Sequence, residues 1–107
     1  MTDDATLGGY FDRHDRPPAF EGSDGRAYSV AWYVDDAAGP DGRYGAALLF
    51  VRWTAEGDHP EGHLESDYLA YGATPGEAEV ALRALSLWDV KDQLEAAIRR
   101  HRAAPEW

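Results

Sequence analysis

The residues of this chain that could hold a metal or move a proton are few and grouped. His59-Pro60-Glu61-Gly62-His63 sets two imidazoles four residues apart, with Asp58 and Glu65 beside them. On a helix that spacing puts both rings on one face, where they can ligate zinc. Pro60 and Gly62 forbid the helix, so the spacing alone fixes no geometry, and a zinc site needs three or four fixed ligands. A solvated hairpin loop is the plainer account, with His59 and His63 kept as the metal candidates. Asp35, Asp36 and Asp41 offer oxygens to calcium, but without the spacing of an EF-hand loop. They read more simply as a charged hairpin tip. His14 stands between Asp12 and Asp15 and is a third candidate polar group.

Other chemistries find less support. Ser23, Ser29, Ser66 and Ser86 lack the strand–turn–helix context of an activated serine. No glycine-rich loop with a following lysine opens a helix, so no phosphate cradle is written in the chain. Twenty aspartates and glutamates are present, and their abundance singles out no acid–base pair. The chain names no reaction and implies no cofactor. It is expected not to be an enzyme. The alternative is a small metal- or ligand-binding domain or enzyme that uses His59 and His63 with the nearby carboxylates.

The aromatic residues say more. Trp32, Tyr33, Trp53, Tyr68 and Tyr71 fall in strand-like segments and are the candidate contact residues for a partner or a second copy. Residues 26–35 alternate, with Tyr28, Val30, Trp32 and Val34 on one face and Ala27, Ser29, Ala31 and Tyr33 on the other. Residues 43–54 form a second strand, apolar on both faces: Leu48 and Phe50 point one way, Leu49, Val51 and Trp53 the other. Residues 64–73 form a third, where Tyr68 and Ala70 alternate with Leu69 and Tyr71. Polar connections with glycine and proline breakers, residues 35–42 and 55–63, join the three as an antiparallel meander.

The meander hands over to a helix at Thr74. Its hydroxyl suits the N-cap, Pro75 suits the first helical position, and Glu77 completes a capping box. From Pro75 the apolar residues run in two offset stripes, one through Ala78, Ala81, Leu82, Leu85 and Trp88 or Asp89, the other through Val80, Ala84, Leu87, Leu94 and Ile98. Two stripes imply a largely buried helix or a break, and Ser86 to Asp89 can re-cap a second segment. Arg99-Arg100-His101-Arg102 supplies the positive charge that favours a helix end. The expected fold is α+β: a three-stranded antiparallel meander covered on one face by a long C-terminal helix. Residues 1–25 are read as an irregular arm, 26–102 as the domain and 103–107 as a frayed tail, with Trp107 able to dock.

Composition narrows the partners. The 107 residues suit one domain, and the net charge is −10, with one lysine, Lys91, beside nine arginines. A field of that sign repels phosphate backbones, so no direct nucleic-acid binding is expected, and a basic partner protein fits better. Cysteine is absent, which removes disulfides and thiolate metal sites. The acidic start, Met1-Thr2-Asp3-Asp4, lacks a secretory pattern, and the longest apolar run, residues 46–51, cannot span a bilayer. A cytoplasmic protein without membrane contact is expected.

The run Tyr71-Gly72-Ala73-Thr74-Pro75-Gly76-Glu77-Ala78, followed by Ala81, Ala84 and Leu85, resembles the third strand and helix start of HicB-type antitoxins. The resemblance implies the same β-β-β-α core and a small basic toxin as partner. The DNA-binding segment usual in that family has no counterpart in the pattern after Leu87, so partner binding is what carries over. One helix covers one face of a three-stranded sheet, and strand two is apolar on both. The second face is covered either by the N-terminal arm or by another molecule, which makes a homo-oligomer the expected state.

Overall fold

The computed structural model describes residues 6–14 and 18–103. In chain order the elements are α1 (Leu7–His14), β1 (Ala19–Glu21), β2 (Ala27–Val34), β3 (Tyr44–Trp53), β4 (Pro60–Gly72), α2 (Pro75–Arg83) and α3 (Leu87–Ala103). The fold is α+β, as the sequence implied, but the antiparallel sheet has four strands, in the order β1-β2-β3-β4.

The arm is therefore not irregular. Gly22-Ser23-Asp24-Gly25 folds it back as a turn: Gly25 N–H donates to the Gly22 carbonyl at 2.9 Å, and Asp24 accepts from Arg26 N–H at 3.1 Å. That turn pairs Phe20 with Tyr28 and makes β1 an edge strand. The preceding α1 packs beside α2. A Cβ at Gly8 would lie 2.8 Å from Arg83 Cβ, so the two helices approach as closely as a glycine permits. The tail from residue 104, Trp107 included, lies outside the described residues.

Helix α2 begins where its signals stand. Thr74 is extended and its hydroxyl accepts from Glu77 N–H at 3.1 Å, while Pro75 opens the first turn. Gly72 makes the handover possible. A side-chain carbon there would come within 2.5 Å of Ala78 N and 2.7 Å of Glu77 Cβ, because the helix doubles back over the end of β4.

The two apolar stripes belong to two helices. The break falls at Ala84-Leu85-Ser86. Ser86 Oγ then accepts from Asp89 N–H at 3.0 Å and caps α3, and the Leu85 carbonyl freed by the break accepts from Leu7 N–H at 2.8 Å. Ala78 and Leu82 of α2, with Val90, Leu94, Ala97 and Ile98 of α3, bury against Tyr28, Val30, Ala46, Leu48 and Phe50 of the sheet. Leu7 seals the corner. Val80 and Trp88, which the stripe pattern places with apolar neighbours, are instead 70% and 82% exposed: Val80 lies on the face of α2 opposite the buried Ala78 and Leu82, and Trp88 lies in the first turn of α3, after the break. None of the helices among the described residues is long and apolar enough to cross a membrane.

Candidate interaction face

All three helices lie on one side of the sheet or at its edge, and none of the described residues covers the other side. That outer face is laid out in rows by the strand register. Asp35 of the β2 end, Gly45 of β3 and Tyr71 of β4 form the first row. Tyr33, Ala47 and Tyr68 form the second, Ala31, Leu49 and Glu65 the third, Ser29, Val51 and His63 the fourth. Trp53 closes the β3 column opposite Pro60. That column is small at Gly45 and Ala47 and bulky at Leu49, Val51 and Trp53, so the face is hollow at its tyrosine end.

Tyr68 fills the hollow. Its ring lies on Gly45, where a Cβ would meet Tyr68 Cδ1 at 2.6 Å. Ala47 is fully buried yet belongs to no helix-side cluster, because its register partners Tyr33 and Tyr68 flank it. Tyr68 and Tyr71 share the face because the ladder slips. Ala46 pairs with Ala70, but Ala47 pairs with Tyr68, so Leu69 is an extra residue in β4 and packs toward the core. The simple alternation of Tyr68 and Ala70 against Leu69 and Tyr71 is thereby corrected. A second slip leaves Leu48 N–H without a ladder acceptor. The buried Ser66 hydroxyl accepts from it instead, at 2.9 Å, which gives that serine a structural role.

Tyr33, Tyr68 and Tyr71 are 38%, 45% and 44% exposed. Two of the three hydroxyls are tied to carboxylates: Tyr68 donates to Asp35 Oδ1 at 3.0 Å, and Tyr33 to Glu65 Oε1 at 3.3 Å. Each bond holds the phenol in its protonated form. The Tyr68 pKa rises mainly through the bond to Asp35, and that of Tyr33 through loss of solvent and then Glu65. Tyr71 makes no such bond among the described residues. Its ring lies 5.9 Å from that of Tyr68 and carries the Arg43 guanidinium 4.6 Å from its centroid. Arg43 also donates from Nε to Asp41 at 2.9 Å, and the Arg43 backbone N–H, followed by this contact, holds the Asp41 carboxyl below its ordinary range. At the other end Trp53 Nε1–H donates to Ser29 Oγ at 2.7 Å, which ties the indole to β2.

Four of the five sequence-proposed contact residues, Tyr33, Trp53, Tyr68 and Tyr71, therefore share this face. Trp32 does not. It points to the helix side, 5.4 Å ring to ring from Phe11 and 5.8 Å from the Arg83 guanidinium, and so anchors α1. The described arm thus covers the opposite side from the one it was considered for. Strand periodicity gave the sides of Trp32 and Trp53; which side the arm would take depended on the α1–α2 contact at Gly8, which no local pattern carries.

No protein-family model, curated protein or solved structure matches the chain. The remaining candidates rest on geometry alone. His59 lies in the loop with Nδ1 2.8 Å from Asp58, and His63 lies on β4 with Nε2 3.4 Å from Glu65. The described residues contain no group of three or more His, Asp or Glu arranged to hold a metal. Asp35 and Asp41 are occupied by Tyr68 and Arg43, and His14 stacks on Tyr10 at 4.1 Å. A second charged cluster joins Arg26 to Glu61, with buried Arg52 Nε 4.0 Å from the same carboxylate and beyond hydrogen-bond reach. It staples the β1–β2 turn to the start of β4.

The sheet edges are poorly suited to strand addition. Edge strand β1 has only three residues, and β4 is interrupted by register shifts along its length. The Arg100 guanidinium also occupies the Glu65 carbonyl at 2.9 Å.

Proposed function

We propose that this protein is a non-enzymatic interaction module that presents the outer face of its sheet to a basic partner protein. The observation that carries the proposal is the row pattern of Tyr33, Tyr68 and Tyr71 beside Leu49, Val51 and Trp53, left uncovered by the described chain and rimmed by Asp35, Glu65 and Asp41. Tyrosine and tryptophan are the side chains that supply most contact area for least lost freedom at interfaces. A chain of net charge −10 selects a partner of opposite sign and speeds its arrival. The resemblance to HicB-type antitoxins points the same way and names a class, a small basic toxin.

A second reading is pairing of two copies through the same face. The uncharged β3 column of Leu49, Val51 and Trp53 favours it. Placing the tyrosine end of one copy over the tryptophan end of the other keeps the carboxylates apart. Mass in solution separates the readings: a monomer that gains mass only with a basic polypeptide supports the first, a dimer without one the second.

The test of the face itself is the variant Tyr33→Ser/Tyr68→Ser/Tyr71→Ser, titrated with a mixed lysine–arginine peptide. The helix-side core is untouched, so the fold should persist. Loss of affinity by about tenfold or more supports the face as the contact surface. Unchanged affinity would show that charge alone draws the peptide and would refute it.

A further inference from the structure

Beside Tyr71 the outer face drops into a groove of about 380 Å3, between the β2–β3 loop and the two tyrosines of β4. Its walls are Asp35, Gly39, Pro40, Asp41, Tyr68 and Tyr71, and Arg43 enters from the side. We infer that this groove is the seat for an arginine side chain of the basic partner, and that Arg43 is its internal occupant in the free protein. The inference rests on the reading of the face as a partner-binding surface and adds to it the chemical group recognised.

Three features fit a guanidinium. The first is the Tyr71 ring, which already carries one: Arg43 Cζ stands 4.6 Å from the centroid, within the range of cation–π attraction. The second is the carboxylate pair at the groove wall. Asp41 receives Arg43 Nε at 2.9 Å, and Asp35 receives the Tyr68 hydroxyl through Oδ1 alone, which leaves Oδ2 for an incoming N–H. The third is shape. The Tyr68 ring rests against Gly45 and, with the Tyr71 ring, gives the groove an aromatic wall, against which a planar fork can lie where a tetrahedral ammonium gains less.

The internal occupant is weakly held. Arg43 and its partner Asp41 are both more than half exposed, and they are two residues apart in one loop. Exposed pairs of this kind contribute little, so an incoming arginine can displace Arg43 from the ring or from Asp41. The loop gains nothing else from Arg43's side chain, since the Gly39 N–H bond goes to the Arg43 carbonyl.

The test uses the full chain and two decapeptides, (Gly-Arg)5 and (Gly-Lys)5, at equal ionic strength, with affinity read by calorimetry and folding by circular dichroism. The expected results are a preference for the arginine peptide of about three- to fivefold, its disappearance in Tyr71→Leu, and tighter arginine binding by Arg43→Gln. Tyr71→Leu keeps apolar bulk but removes the π face, so its loss of preference reports the ring. Equal binding of the two peptides, with Arg43→Gln indistinguishable from the parent, would overturn the arginine seat and leave the partner-binding face standing. Binding of neither peptide would overturn both.

Discussion

The two faces of the sheet are built from alternate residues of the same strands, yet they end in different states. On the helix side Tyr28, Val30, Leu48 and Phe50 lose all but a trace of their exposure under α2 and α3. On the outer side Tyr33, Tyr68 and Tyr71 keep roughly 40% of theirs, and no helix of the described chain covers them. The polar atoms differ in parallel. Tyr28, fully buried on the sealed face, donates to Asp24 at 2.6 Å. Two of the outer tyrosines, Tyr33 and Tyr68, donate sideways to carboxylates at the face's own rim. A sealed face is a means of folding. An aromatic face with its hydroxyls already aligned and its carbon left wet is suited to meeting another molecule.

The largest test of that contrast is truncation on each side. Phe50→Ala should cost about 3–5 kcal/mol of stability, because it opens a cavity under both helices. Tyr71→Ala should cost under about 1 kcal/mol, since the ring is nearly half exposed and ends in solvent. Denaturant titration of the pair measures the difference, and equal losses would show that the outer face is also core.

A smaller effect sharpens where the helix layer is anchored. Thr74→Ala removes the acceptor for Glu77 N–H and should cost about 1 kcal/mol, while Thr74→Ser should cost a few tenths. Thermal melts distinguish the two.

The pH dependence belongs to the sealed side as well. Glu95 of α3 accepts from Lys91 Nζ at 2.8 Å and from Ser23 N–H at 3.0 Å, pinning the β1–β2 turn to the helix. These partners, Lys91 first, lower its pKa from 4.5 to about 2. A depressed carboxyl stabilises the fold above its unfolded value and loses that contribution as pH falls from about 4.5 toward about 2. The melting temperature should drop across that window, and Glu95→Gln should flatten the drop. The alkaline limb runs the other way. Burial, then Asp24, raises Tyr28 from 10.0 to about 12, so stability should decline as pH rises between those values, and Tyr28→Phe should reduce the decline.

Much of this division was legible in the chain, for reasons that can be named. The faces of β2 and β3 follow from strict alternation, and Thr74-Pro75-Gly76-Glu77 marks its own helix because capping is a local chemistry. The break at Ser86 was visible as one of two options, and the Ser86 hydroxyl bond to Asp89 N–H decides it. What stayed hidden depends on pairing. Strand β1 is three residues long, too short for a period, and exists because the Ser23–Gly25 turn lays it on β2. Helix α1 carries Gly8 and Gly9, poor helix formers, and only the packing against Arg83 explains Gly8. The slip at Leu69, which brings Tyr68 and Tyr71 onto one face, is a property of two strands together and has no signature in either alone.

Hydroxyl-radical footprinting, read tyrosine by tyrosine with and without a basic polypeptide, tests the central claim most directly. The account predicts that Tyr33, Tyr68 and Tyr71 are labelled in the free monomer while Tyr28 is not, and that the polypeptide protects the first three together. Protection of all four tyrosines in a lone monomer would contradict it, because the outer face would then be covered by the chain's own residues.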